Sequence, residues 1–319
     1  MSGALRQLAR CAAARCMLRT MPRATHAGPP LAALLAAGLL ATGCGGGGDK
    51  TTSQTTAKPP PPAPKTTTTA AKPPPPPPPA KRKTTARQNP WFPLEPGFQT
   101  VQLGKVNRGH RRLSHRRVVT VTDVHKRING TSAIGVLDQD FDGGGGVSEQ
   151  SLDYYSVGKG GTVYYLGSYT EGYEGGQFLS ANDGWLAGID GATKGLYMLG
   201  RPRLGTGSYT QENRPGSNPT IAQVARRDKK TCVPYKCFKN TIVIVEDGVE
   251  NKYFARGVGG IKTEPVSGSE QETEALINVR QLSRRGLREI SKQLIALDKH
   301  ARSVLPGVFG QSSPAKRKR

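Results

Sequence analysis

The chain has 319 residues, with 46 lysines and arginines against 23 aspartates and glutamates, a formal net charge of +23, and 35% hydrophobic residues. The charge is uneven: residues 1–43, 44–90 and 282–319 hold five, eight and ten basic residues against none, one and two acidic ones, while 91–281 holds 23 basic and 20 acidic. Basicity confined to the ends excludes the ordered basic face that a specific nucleic-acid reader presents, and no nucleic-acid partner is expected.

Residues 1–43 read as a lipoprotein signal peptide. The apolar run from Leu31 to Leu40 ends in Ala41-Thr42-Gly43-Cys44 and then breaks into glycine, a pattern in which Cys44 is lipidated and exposed as the new N-terminus. Arg6, Arg10, Arg15, Arg19 and Arg23 precede the run with no acidic residue before Asp49, a composition that a transit peptide shares. A plain secretion signal and a membrane anchor are the other readings, although a run of about 11 to 13 residues is short of the roughly 20 that span a bilayer. The lipoprotein reading places the protein on the extracytoplasmic face of the cell membrane, held by a lipid such as palmitate on Cys44.

Residues 44–90, rich in Thr and Pro, contain almost nothing that could enter a core, so burial cannot offset the entropy of ordering them and a disordered stalk is expected. The two proline runs stiffen into polyproline II at about 3.1 Å per residue, enough for a reach on the order of 100 Å.

Residues 91–281 read as one antiparallel β domain. Stretches rich in Val, Ile, Tyr and Thr recur with turn residues between them, among them RRVVTVTDV, SAIGVLDQDF, TVYYLGSY and NTIVIVED. Asn129-Gly130 is a two-residue hairpin signal, and Gly158-Lys159-Gly160-Gly161 links another pair. Links this short favour antiparallel neighbours, so the fold class is all-β, a meander curling into a half-open barrel or wrapped sheet, with a β-sandwich as the alternative.

Four blocks in this region, Phe92-Pro93-Leu94-Glu95-Pro96-Gly97, Tyr154-Tyr155, Gly184-Trp185-Leu186-Ala187-Gly188-Ile189-Asp190-Gly191-Ala192 and Lys252-Tyr253-Phe254-Ala255-Arg256-Gly257-Val258-Gly259, occur in an order that resembles an uncharacterised family of bacterial exported β-proteins, many of them lipid-anchored. The resemblance spans roughly 92–281. It implies an envelope location and an antiparallel β fold, and it supplies no catalytic residues.

Asp138-x-Asp140-x-Asp142-Gly143 with Glu149 at the twelfth position has the spacing of a calcium loop, where alternate oxygens wrap the ion. Gly145 departs from that pattern and strands flank it, so the other reading is a hairpin with Asp138, Asp140 and Asp142 facing water and Leu137 and Phe141 facing a core. Beyond the signal, Cys232 and Cys237 flank a Val-Pro-Tyr-Lys turn and are expected to form a disulfide; free thiols and a metal pair are the alternatives. Tyr154, Tyr155, Tyr164, Tyr165 and Trp185 are candidate ligand-binding residues, with Tyr197 and Met198 beside them, since adjacent tyrosines point to opposite faces of a strand and one of each pair can line an aromatic concavity. The competing reading is a packed aromatic core. Glu171 and Glu174, with Tyr169 and Tyr173, read as a glycine-rich loop, and His110 and His115, set among arginines, as a charged surface loop.

Residues 282–319 form a basic tail with one regular signal. Leu287, Ile290, Leu294, Leu297, Ala301 and Val304 recur at steps of three and four, an amphipathic helix ending before Pro306. The helix can dock on its own sheet, pair with a second chain or lie on a membrane, and the basic ends suit anionic lipid heads or wall polymers. The chain has no Gly-x-Ser-x-Gly elbow, no phosphate loop and no His-Glu-x-x-His helix. The expectation is therefore a non-catalytic envelope protein without a cofactor: a binding module for an apolar or envelope ligand, or else a structural or adhesion component.

Overall fold

The computed structural model describes residues 88–108, 111–266 and 272–318. The expected signal, Cys44 and nearly all of the expected stalk lie outside them.

The described residues fold as a wrapped antiparallel sheet carrying one helix. In chain order the strands are β1 (Phe98–Arg108), β2 (Arg111–Ile128), β3 (Thr131–Asp142), β4 (Val147–Val157), β5 (Val163–Glu174), β6 (Gln177–Leu186), β7 (Gly195–Met198), β8 (Tyr209–Glu212), β9 (Thr220–Cys232), β10 (Cys237–Glu246), β11 (Glu250–Ala255), β12 (Gly259–Pro265) and β13 (Glu272–Gln281). Helix α1 (Arg284–Val304) follows, and then a two-residue strand, β14 (Lys316–Arg317). Neighbours in sequence pair along β6-β5-β4-β3-β2-β1 and along β13-β12-β11-β10-β9-β8, and the two runs are joined by β1 against β13. Only that junction is non-local along the path, as expected for a meander.

The outer ends of this sheet curl toward each other without completing a ladder. Strand β7 pairs with the start of β5, and β8 comes up beside β7 through a Thr193–Asn213 bridge and a 3.0 Å bond from Gln211 Nε2 to the Tyr197 carbonyl. At Gly195 a Cβ would stand 1.7 Å from the Gln211 carbonyl oxygen, so the approach of the two strands requires glycine. Asn129 and Gly130 both have positive φ, 42° and 75°, which matches the right-handed twist of the β2–β3 hairpin they connect.

Period-two alternation sorts each strand into an inner and an outer face, and both faces are buried over much of the sheet. The inner cluster includes Phe98, Val121, Val136, Tyr155, Ile244, Phe254 and Leu276, while the outer cluster includes Leu137, Leu152, Tyr154, Leu166 and Tyr169 under α1. The helix begins at Ser283, whose hydroxyl accepts from the Gly286 N–H at 3.1 Å, and it lays Leu294, Leu297 and Ala301 on the sheet. Burying each leucine contributes roughly 1.5–3 kcal/mol. Of the three dispositions open to this helix, docking on its own sheet is the one observed.

Two further attachments extend the domain at its ends. Asn89 is fully buried, donating to the Gly161 and Leu199 carbonyls at 2.8 and 2.9 Å and accepting from the Trp91 N–H. The basic tail returns to the sheet: Phe309 and Ala315 are buried, β14 pairs with β2, and Arg317 makes a forked ion pair with Asp123. Much of the C-terminal basicity is thus anchored to the fold.

Cys232 and Cys237 are direct cross-strand partners of β9 and β10 and are joined by a disulfide. Closing so short a loop removes little unfolded-state entropy, about 2 kcal/mol by the chain-entropy relation. Urea denaturation of Cys232→Ser/Cys237→Ser beside the oxidised protein is expected to show a loss of about that size.

Candidate functional site

The inner face changes character along the strands. Stepping two residues at a time, β2 presents Val121, Val119, Arg117 and His115, β3 presents Val136, Asp138 and Asp140, and β13 presents Leu276, Glu274 and Glu272. Antiparallel register aligns these series, so the interior is apolar at one level and ionic at the next.

Between the two levels lies an internal cavity of about 160 Å³. Its apolar wall is a ring cluster: Tyr155 stacks on Tyr165 at 4.9 Å, Phe92 and Tyr197 meet Tyr155 at 5.0 and 4.9 Å, and Trp185 meets Tyr165 edge-on at 5.2 Å. Such contacts add roughly 0.5–1.5 kcal/mol each beyond area burial, so the wall is stiff.

The polar wall is built from bonded charges. Arg117 forks onto both oxygens of Asp138 at 2.5–3.0 Å and reaches Glu274 at 3.2 Å. Burial alone would lower its pKa, but Asp138 and Glu274 outweigh that and hold the guanidinium well above its ordinary value. Lys252 bonds Glu246 at 2.5 Å, and Arg214 pairs with Asp183 and Glu212. Asp153 accepts from Tyr165 Oη at 2.6 Å and Ser168 Oγ at 2.8 Å, tying the ring cluster to the polar wall.

Burial pushes the Asp153 carboxyl up to about 6, with the field of Asp138 in the same direction, despite those two donors. A folded pKa above the unfolded value near 3.9 means that the native state binds the extra proton. The stability contribution is therefore present below about pH 4 and is lost as pH rises through about 6. Asp153→Asn is expected to remove this slope. Its stability relative to wild type should rise between pH 4 and 6 in urea titrations, and an unchanged difference would count against the assignment.

The structure separates the candidate tyrosines by face. Tyr155, Tyr165 and Trp185 line the cavity together with Phe92 and Tyr197. Tyr154 points outward, where its hydroxyl donates to Asp298 at 2.8 Å, and Tyr164 lies on the outer side with Lys194 over its ring at 4.7 Å. Tyr197 belongs to the aromatic set read from the sequence, whereas Phe92 was not read as a cavity residue, because nothing in its spacing links it to the β4–β5 pair.

The four calcium-loop candidates occupy separate roles. Asp138 is held by Arg117, Asp140 by His115 at 2.8 Å, and Asp142 accepts from the Gly144 and Gly146 N–H groups in the β3–β4 turn. Glu149 faces Asp140 across the β3–β4 ladder. Asp138 and Asp140 point into the interior, opposite to the outward direction that the hairpin reading gave them. The cause is that Leu137 is buried on the other face, beneath α1, and Phe141 is covered by Arg116 at 4.4 Å. His115 is likewise not on a surface loop: it lies within β2 and is buried, because alternation turns it and Arg117 inward. Glu171 lies on strand β5 and is buried, accepting from Tyr169 at 2.8 Å and also bonded to Tyr173 and His300.

Comparison with known proteins finds two distant similarities to solved structures. A "putative lipoprotein" from Parabacteroides distasonis ATCC 8503 and a "putative exported protein with YmcC-like fold" from Bacteroides fragilis NCTC 9343 are each similar at 11% identity and a TM-score of 0.35, over 60% of this chain and 99% of theirs. No family model matches the chain. No curated protein matches it. Neither structural neighbour's name states an activity or a ligand.

Proposed function

We propose that this chain is a lipid-anchored protein of the cell envelope whose β domain is a non-catalytic binding module. Cys44 carries the lipid, residues 45–87 act as the stalk, and the interior of the wrapped sheet holds a small envelope-derived ligand with an apolar ring or chain end.

The observation that supports this reading is the cavity within the wrapped sheet. Its volume of about 160 Å³ is near that of an apolar cavity known to admit a benzene-sized guest. That is below the several hundred Å³ of sites that enclose whole drug-sized ligands, so the guest is a ring or the end of a chain. Rings on one wall and hydrogen-bonded charges on the other suit a ring or chain end that is apolar on one side and carries a polar group on the other. The basic ends, including the exposed Lys316, are proposed to add contact with anionic lipid heads or wall polymers.

Native mass spectrometry of the chain extracted from bacterial membranes tests both parts. The expected spectrum shows a polypeptide beginning at Cys44 with covalent lipid, plus a non-covalent adduct that Ser168→Phe, which fills the cavity, removes. Cys44→Ser is expected to lose the covalent lipid and keep the adduct. An unmodified Cys44 would sink the anchor, and a bare wild-type domain would sink the binding role.

A further inference from the structure

Beyond the cavity, toward one rim of the sheet, lies a second polar cluster that the proposed ligand site does not use. His115 Nδ1 is 2.8 Å from Asp140 Oδ1, and its Nε2 is 3.4 Å from Glu272 Oε1. His115 is 7% exposed and Glu272 2%. Both the Nε2 and that carboxylate oxygen are buried and have no hydrogen-bond partner among the described residues, so the two polar atoms face each other at ion-pair distance without a hydrogen bond between them. Such a pairing is uncommon in a folded interior. The ring also has space made for it: a Cβ on Gly104, across the β1–β2 ladder, would stand 2.5 Å from His115 Nε2.

We infer that His115 and Glu272 bind a divalent first-row transition ion, with Asp140 as the positioning carboxylate behind the imidazole. Two donors at about 2.0–2.1 Å from an ion, separated by the tetrahedral angle, stand about 3.4 Å apart. That is the separation from Nε2 to Oε1. Asp140 accepting from Nδ1–H fixes the tautomer that leaves the Nε2 lone pair facing Glu272, the arrangement commonly found behind metal-bound histidine. Ligand atoms of His115, Asp140 and Glu272 all lie within 4.8 Å of one another. Water completes the coordination.

Charge favours a cation here. Asp138, Glu272 and Glu274 act on the Arg117 guanidinium, Asp140 is paired with His115, and Lys252, whose field reaches Glu274, is itself bonded to Glu246. Buried carboxylates are paired or coordinate metals, and a divalent ion between Nε2 and Glu272 would add positive charge to this cluster. The ligands come from β2 and β13, far apart in sequence, so the site has none of the close spacing by which metal motifs are recognised.

The test uses the untagged full chain, stripped with chelator and titrated with Zn²⁺. One equivalent is expected to survive gel filtration, and Co²⁺ is expected to give a visible absorption band. His115→Gln and Glu272→Gln should abolish retention, Asp140→Asn should weaken it by about 10–100-fold, and Asp142→Asn, which alters only a turn cap, should leave it unchanged. On wild-type protein, Zn²⁺ should shift the His115 ring protons in NMR spectra. A folded wild-type chain that retains no Zn²⁺, retention that persists in folded His115→Gln, or unmoved His115 resonances would each overturn the assignment.

Discussion

Asp298→Ala is expected to lower stability by about 3–5 kcal/mol, the range for breaking a buried ion pair from one side. Asp298 and Lys126 are each 1% exposed, and Asp298 accepts from Lys126 Nζ at 2.8 Å, Tyr154 Oη at 2.8 Å and the Ala315 N–H at 3.0 Å. The carboxylate thus joins β2, β4, α1 and the returning tail. Without it an ammonium is left in an apolar layer, with the Ser313 carbonyl at 2.8 Å as its remaining acceptor among these bonds. Burial already lowers the Lys126 pKa, and Asp298 works in the opposite direction.

Removing Asp298 should lower that pKa further, and the sign of the pH effect follows. With the folded pKa below the unfolded one, the unfolded chain binds more protons, so the variant should regain stability as pH rises toward the unfolded lysine value near 10.4. Urea denaturation at pH 7 and pH 9.5 measures both effects. Lys126→Met/Asp298→Leu, which removes both charges, should recover most of the loss. A loss below about 1 kcal/mol in the single variant would mean that the helix is not held by this pair.

Arg117→Ala is the second large effect, again about 3–5 kcal/mol at neutral pH. The guanidinium is the cation shared by Asp138 and Glu274, both largely buried, and alanine would leave them facing each other across the interior. Arg117→Lys should recover only part of the loss, because an ammonium cannot reproduce the fork onto Asp138. Burial raises the Glu274 carboxyl and Arg117 is the foremost charge holding it down, so freed of the guanidinium Glu274 should titrate above its unfolded value. The deficit of Arg117→Ala should therefore be smallest near pH 4 and grow as pH rises. A pH-independent deficit would show that Arg117 acts through packing of its stem and not through its charge.

How much of this architecture was legible in the sequence can be judged from particular strands. The β2–β3, β4–β5 and β9–β10 hairpins could be read because their turns are short and their strands are rich in Val, Ile and Tyr. Strand β1, with Gln99, Gln102 and Gly104, gave no such signal, although its pairing with β13 unites the two runs of the sheet. Gln99 and Gln102 are nevertheless buried, bonded to Thr120 and to the Gly260 carbonyl.

The direction of the faces was the larger difficulty. Alternation says that Leu137 and Asp138 point oppositely, but choosing the apolar member for the interior assumes that one face meets water. Here α1 covers the outer face over Leu137, leaving Asp138 and Asp140 for the inside. The same inversion hid His115, which adjacent arginines made look like a surface residue. The cavity rings divide likewise: Tyr155, Tyr165 and Tyr197 carried a readable signal, whereas Phe92 meets them through the segment before β1.

The central claim is that the interior of the wrapped sheet is a ligand site, and a crystal structure of the chain purified from its own membranes tests it most directly. The account predicts non-protein density between the Tyr155–Tyr165–Trp185 rings and the Arg117–Asp138 pair. Rings collapsed onto the polar wall, with no space between them, would contradict it.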